Sequence, residues 1–165
     1  VCEERLRRGA QSVLPCQIVG THHTKGRDLA KLIERPVDMA TLAARFRREE
    51  DFRDLNKVKV VLDKRGNALY FSRSHIPFAR EHKGYVDAGW LAQNACYWHI
   101  GVYAYKAEFL KIYAGLPRGN LEGIERLEQL RVLENGYTIA VGFCGEPTLG
   151  VDTPEDAAAI ETLLG

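Results

Sequence analysis

The sequence lacks most of what ties a chain to a membrane, to nucleic acid or to an oxidising compartment. No apolar run approaches the ~20 residues of a membrane-spanning helix. Residues 1–10, VCEERLRRGA, hold no apolar stretch of the kind that drives secretion. Charge of one sign is not in excess: 23 basic residues face 22 acidic ones, for a formal net charge of +1. That balance supplies no field to gather nucleic acid or an anionic membrane, and neither is expected as a partner. The clusters RLRR (5–8) and RFRREED (45–51) read as solvated helix faces, and in the second the acids neutralise the bases. The four cysteines, Cys2, Cys16, Cys96 and Cys144, form no CxxC pair. Reduced thiols and a cytoplasmic location are the expectation. Cys16 lies near His22 and His23, but the spacing fits no common structural zinc site, and the stretch reads as a polar loop. Position 1 is valine rather than methionine, so a processed product or a piece of something longer is expected.

What is present suits one globular domain. The chain has 165 residues, is 45% hydrophobic and is long enough to bury a core without staples. It shows no internal repeat and no low-complexity tract. Residues 1–27 carry the weakest pattern, with a short helix near 2–8 and a strand near 16–20. In DLAKLIER (28–35), Leu29, Leu32 and Ile33 share a helical face, Asp28 offers a cap and Pro36 ends the helix. VDMATLA (37–43) alternates as a strand does, and REEDFRDL (48–55) reads as a short helix. KVKVVLDKRGNALYFSR (57–73) reads as two strands around a Lys-Arg-Gly-Asn turn. Val58, Val60 and Leu62 alternate before the turn, and Leu69 and Phe71 after it. Residues 74–96 look irregular. A strand is predicted over 97–105 and a helix over 106–114. Asn120 is placed to cap a helix running to 134, with Leu121, Ile124, Leu127 and Leu130 inward, closed by ENG (134–136). YTIAVGF (137–143) is a further strand. In GVDTPEDAAAIETLL (150–164), Thr153 is a natural cap, Pro154 suits the first helical position and Asp156 sits where a capping-box acid would. An acid between a strand end and a capped helix is a favoured site in α/β proteins, and the alternation of strands with helices implies a mixed α/β sheet.

Three stretches together resemble one family. They are VKVVLDKRGNALYFSRSHIPFAR (58–80), HIGVYAYKAEFL (99–110), and LEQLRVLENG with GVDTPED (127–136 and 150–156). Their order and spacing are similar to those of the 3-deoxy-D-manno-octulosonate (Kdo) cytidylyltransferases, or CMP-Kdo synthetases. The resemblance is clear over about 57–156 and weaker over about 28–56, where DMATLA fits. It divides the chain into an unmatched segment, 1–27, and the C-terminal part of a cytidylyltransferase domain, 28–165. The family's nucleotide-binding string, of the form ARYxSTRLPGKPL, does not occur here, and neither does its QGDEP turn, whose Asp holds magnesium. The resemblance implies an α/β fold: a Rossmann-like nucleotidyltransferase sheet, incomplete here, with a β-rich lobe for dimerisation and sugar binding. It implies CTP and Kdo as substrates, Mg²⁺ as cofactor and a homodimer. A sheet without its first strands would leave an edge and an apolar face bare, so marginal stability or reliance on a dimer is expected.

The same resemblance assigns residues. His99 and Tyr103 would hydrogen-bond sugar hydroxyls; four apart on a strand, they share a face, with Ile100 and Val102 on the other. On the residues alone a buried, satisfied histidine is the plainer reading of His99, and the resemblance turns it toward the sugar. Tyr105 is left to packing. The sugar's carboxylate wants a planar bidentate donor, and Arg80 corresponds to the family's arginine, with Arg73 a second candidate. Glu128 and Gln129 correspond to a pair that holds sugar hydroxyls, since a carboxylate and an amide together accept and donate. Glu125 and Arg131 read as an ordinary polar helix face. Asp152 would be the magnesium ligand for attack of the sugar's anomeric hydroxyl on the α-phosphate of CTP, with loss of pyrophosphate. Asp152 as an auxiliary cap on the last helix stays open beside that role. Two other readings stand. One is a non-catalytic sugar-binding or dimerisation remnant of such an enzyme. The other is a sister enzyme for another acidic sugar, such as a sialic acid, against which the H-x-G-x-Y and LEQLR strings speak.

Overall fold

The computed structural model describes residues 13–14, 29 and 31–145. The readings that fall on the rest lie outside the described residues: the helix near 2–8, the strand near 16–20, the loop of Cys16, His22 and His23, and the capped helix with Asp152, Glu155 and Asp156. Among the described residues six strands form one mixed sheet. They are β1 (Val13–Leu14), β2 (Met39–Arg45), β3 (Lys59–Leu62), β4 (Ala68–Ser72), β5 (Tyr97–Tyr105) and β6 (Ile139–Phe143). The order is β4-β3-β5-β2-β6, with β1 also on β5. Only β2 and β6 run parallel, Met39 opposite Ile139 through Ala43 opposite Phe143. The mixed α/β architecture is the one the sequence implies.

Each face of the sheet carries its own core. On one, Met39, Ala43, Val60, Phe71, Tyr105, Ile139 and Val141 pack against the helices α3 (Ala107–Gly115) and α5 (Gln129–Glu134), which contribute Phe109, Leu130 and Val132. On the other, Ala40, Leu42, Val102, Ala104 and Ala140 meet Leu29 and Ile33 of the helical stretch before Pro36. The small residues of β2 and β6 let that helix lie close. A third cluster joins Phe46 to α1 (Glu49–Arg53) through Phe52 and to α2 (Ala88–Gln93) through Leu91. Beneath it Lys59 is fully buried. Its ammonium donates to the carbonyls of Asp54, at 2.6 Å, and Arg73, at 3.0 Å, and so ties the α1 loop to the end of β4. Burial pushes this lysine down to about 8.

Local structure departs from simple periodicity in three places. First, the β3–β4 pairing slips: Val61 faces Tyr70, but Leu62 faces Ala68. Leu69 is the extra residue of a bulge and turns outward, 62% exposed, while Phe71 is buried as expected. Second, the helix expected from 120 to 134 is two short ones, α4 (Asn120–Glu125) and α5, broken at Arg126, whose φ is +55°. Ile124, expected inward, is 71% exposed. Gly119 rather than Asn120 holds the cap position, and the Glu134 carboxylate reaches back to accept from the Leu121 and Glu122 amides. Helices this short need such tertiary ties. Third, residues 74–96 include α2, whose cap is Asp87, accepting from the Trp90 amide at 2.7 Å. The absence of a periodic apolar stripe hid that helix.

The bulge predicts opposite fates for two apolar residues of one strand. Phe71→Ala should cost about 3–5 kcal/mol in urea unfolding, whereas Leu69→Ala should stay within about 0.5 kcal/mol. Equal losses would show that the alternation, and not the bulge, governs β4.

Candidate functional site

The site begins with an irregularity in β5. Thr41 of β2 pairs with Tyr103 and Ala43 pairs with His99, so Ile100, Gly101 and Val102 together oppose Leu42 alone. Gly101 takes φ +69°, where a side chain would be strained. Two extra residues are an even number, so the facing of β5 side chains is preserved across the bulge. Tyr97, His99, Tyr103 and Tyr105 therefore all point to the α3/α5 face, and Ile100 and Val102 lie on the opposite, apolar side. Their rings form a row. Phe71 stands edge-on to His99 at 4.8 Å between centroids, His99 lies 5.4 Å from Tyr103, and Tyr103 lies 6.2 Å from Tyr105.

Polar groups thread this row. The Tyr103 hydroxyl donates to Gln129 Oε1 at 3.1 Å. Gln129 Nε2 approaches His99 Nδ1 at 3.5 Å, and His99 Nε2 is 2.9 Å from Thr41 Oγ1. The Thr41 hydroxyl also donates to the Val102 carbonyl inside the bulge, at 2.7 Å. Thr41, His99 and Gln129 are all buried. Burial pushes the His99 imidazole down to about 3, so the ring is neutral at ordinary pH. Burial first, and the nearby Glu128 carboxylate second, hold the Tyr103 phenol well above its usual range. Tyr105 is raised too, chiefly by burial, and is buried in the packing of this face.

Of the residues singled out in the sequence, the structure thus brings His99, Tyr103 and Gln129 into one hydrogen-bonded set. It separates the adjacent pair on α5: Gln129 is buried, whereas Glu128 is exposed beside Tyr103. Arg73 is half-buried, and its guanidinium donates to the carbonyls of Glu125, at 3.1 Å, and Leu55, at 3.3 Å. Arg80 opens a short 3₁₀ turn, Arg80–His82, and is exposed with no ion pair among the described residues. Neither arginine hydrogen-bonds to the His99 set. Two residues read as an ordinary polar helix face, Glu125 and Arg131, prove otherwise. The Glu125 carboxylate accepts from the Ser72 hydroxyl at 2.5 Å and the Arg73 amide at 3.0 Å, fastening α4 to the end of β4. Arg131 makes a two-pronged pair with buried Glu122, at 2.8 and 2.6 Å, and lies over the Tyr113 ring. Thr41 was missed because a threonine in a strand gives no signal of its own.

A cavity of about 790 Å³ opens at the carboxyl ends of the parallel strands β2 and β6, between Arg45, Arg47, Leu91, Tyr97 and Phe143. That end of an α/β sheet is where ligands collect. Tyr97 lies two residues before His99 on the same face, but His99, Tyr103 and Gln129 do not line the cavity. Asp152 lies outside the described residues, and among those residues no group of three His, Cys, Asp or Glu side chains could hold a metal. Burial pushes the Cys96 thiol up to about 11. No helix among the described residues is long and apolar enough to cross a membrane.

The depressed His99 has a consequence for stability. The unfolded chain takes up this proton near pH 6.5 and the folded chain only near 3, so stability is complete above about 6.5 and is lost as pH falls toward 3. The expected slope is about 1.4 kcal/mol per pH unit. His99→Gln should flatten that slope in denaturant unfolding between pH 6 and 4; an unchanged slope would mean that His99 is not buried neutral.

The geometry can be set beside known proteins. The cytidylyltransferase family model matches residues 16–139. The 3-deoxy-manno-octulosonate cytidylyltransferase of Thermodesulfovibrio yellowstonii is 51% identical over 126 residues, which are 76% of this chain and 48% of that protein. The 8-amino-3,8-dideoxy-manno-octulosonate cytidylyltransferase of Shewanella halifaxensis is 45% identical over 139 residues, 82% of this chain and 53% of that one. The chain thus spans about half the length of the relatives it matches. Among solved structures, a CMP:2-keto-3-deoxy-manno-octonic acid synthetase complexed with CTP superposes with a TM-score of 0.70 at 31% identity, covering 84% of this chain and 55% of that one. With its family model matched over residues 16–139 and its sheet shared with that synthetase, the chain belongs to the cytidylyltransferase family, among the relatives of the Kdo-activating enzymes.

Proposed function

We propose that this chain belongs to an enzyme that transfers CMP from CTP to Kdo with release of pyrophosphate, for lipopolysaccharide biosynthesis. The observation that carries this reading is the meeting of His99, Tyr103 and Gln129 in one hydrogen-bonded set, in a chain about half identical to proteins of that activity over the matched region. A polyol suits the open end of such a set, where the Tyr103 oxygen and the neighbouring Glu128 carboxylate can accept from hydroxyls. Glu128, exposed at the rim beside Tyr103, would accept from a further hydroxyl. Arg80, exposed and without an ion pair among the described residues, is proposed for the sugar's carboxylate. Arg73 already spends two N–H groups on carbonyls, and its proposed part is at the same carboxylate, held in place by them.

In the reaction, the anomeric hydroxyl oxygen forms a bond to the α-phosphorus of CTP as the bond to pyrophosphate breaks, and the hydroxyl's proton is released to solvent. We propose Asp152 as a ligand for Mg²⁺, which when bound would offset phosphate charge. The described residues do not complete a metal site. A homodimer and a cytoplasmic location belong to the same reading. A non-catalytic sugar-binding or dimerisation remnant of such an enzyme is the second reading.

Two measurements test this. Calorimetric titration of the chain with Kdo should show binding, weakened about tenfold by Tyr103→Phe, the scale of one lost hydrogen bond, and more by Gln129→Leu. Binding indifferent to both would remove the cluster from the site. Pyrophosphate release with CTP, Kdo and Mg²⁺ should be abolished in Asp152→Ala. Kdo binding without any turnover in the parent chain would support the remnant instead. The 8-amino sugar, run in parallel, reads which octulosonate is preferred.

A further inference from the structure

We propose that Thr41 is a positioning residue. Together with the Val102 carbonyl it locks His99 in its Nε2–H form, and so sets the direction of every hydrogen bond out to Tyr103, whose oxygen is left to accept from a ligand hydroxyl. The substrate part of this inference rests on the sugar-binding reading above; the part concerning Thr41 and His99 does not.

Proton counting at Thr41 carries it. A threonine hydroxyl has one proton. The Val102 carbonyl stands 2.7 Å from Thr41 Oγ1, and two oxygens that close need a proton between them. The carbonyl has none, so the threonine's proton goes there. His99 Nε2, 2.9 Å from the same Oγ1, must then bring its own proton. A neutral imidazole has only one N–H, so Nδ1 is bare and needs a donor. Gln129 meets that need only with its NH₂ toward the ring, which turns Oε1 toward Tyr103. Tyr103 then offers its single proton to Oε1, at 3.1 Å, with the Glu128 carboxylate beside it as a second acceptor.

Every group in this line is thus oriented from its buried end. Reversing it would leave the Val102 carbonyl facing a bare hydroxyl oxygen, an unpaired acceptor in a dry core. The bulge matters here: Gly101 lets the backbone turn the Val102 carbonyl toward Thr41. A ligand hydroxyl that arrives at this end meets the Tyr103 oxygen and the Glu128 carboxylate, both able to accept its proton.

The test is nitrogen NMR of the full chain labelled with ¹⁵N-histidine, with His99 assigned by its loss in His99→Gln. At neutral pH the expected spectrum has a protonated Nε2 and a bare Nδ1 for His99. Thr41→Ser should keep that pattern, and Thr41→Val should lose it for the other tautomer or a mixture. A wild-type Nδ1–H ring, or an unchanged single tautomer in Thr41→Val, would overturn the assignment. Should Thr41→Val not fold, the wild-type and Thr41→Ser spectra still decide. In titrations with Kdo, Thr41→Val should bind about tenfold more weakly, with affinity restored in Thr41→Ser. A wild-type chain that does not bind Kdo at all would sink the sugar reading, while the spectra still judge Thr41.

Discussion

The hydrogen bond from Thr41 to the Val102 carbonyl is the contact on which the central region depends. It exists because β5 bulges at Gly101, and the bulge exists because one residue there can take a positive φ without strain. The bulge bends the longest strand of the sheet at its middle, yet keeps the facing of its side chains because it adds two residues. An odd insertion would have sent Tyr103 and Tyr105 into the opposite core, among Leu42 and Ala140. The aromatic row, its buried amide and the neutral imidazole all follow from that parity.

A second constraint is the tie between β4 and the α4–α5 pair. Glu125 holds the last residues of β4, Arg73 answers by donating to the Glu125 carbonyl, and Lys59 holds the Arg73 carbonyl from beneath. Glu134 and the Glu122–Arg131 pair then fasten α4 to α5. The helix that carries Gln129 and the loop that carries Arg73 are therefore parts of one hydrogen-bonded frame. A buried lysine is costly, and its ammonium is retained by two carbonyls and the faces of Phe46 and Phe52, at 6.0 and 5.9 Å.

These ties explain why a site built from residues far apart in sequence can be rigid. Thr41, His99 and Gln129 come from β2, β5 and α5, and each is buried. Buried polar groups that are all partnered specify one arrangement, since any alternative strands a donor or an acceptor away from water. No buried side-chain nitrogen or oxygen among the described residues lacks a partner.

The sequence by itself determined the strands and much of the sheet's composition. The alternation in YWHIGVYAY and in VDMATLA and the Gly-Asn turn between two β-rich runs are local signals, and local signals survive without a partner. Motif resemblance placed His99, Tyr103 and Gln129 in one sugar site with Arg73, Arg80 and Glu128, and folding joins the first three in one hydrogen-bonded set. Tertiary structure alone decided the rest. Leu69 is turned out by a slip in pairing with β3, which no property of β4 announces. The helix that begins at Asn120 ends at Arg126 because α5 must fold back onto the sheet, so Ile124, on the apolar stripe, meets solvent. Glu128 and Gln129 are neighbours in sequence with opposite fates, since a helix points adjacent side chains about 100° apart. Thr41 was invisible because its importance lies in where its single proton goes. That is settled by a carbonyl sixty-one residues away, which only folding brings within reach.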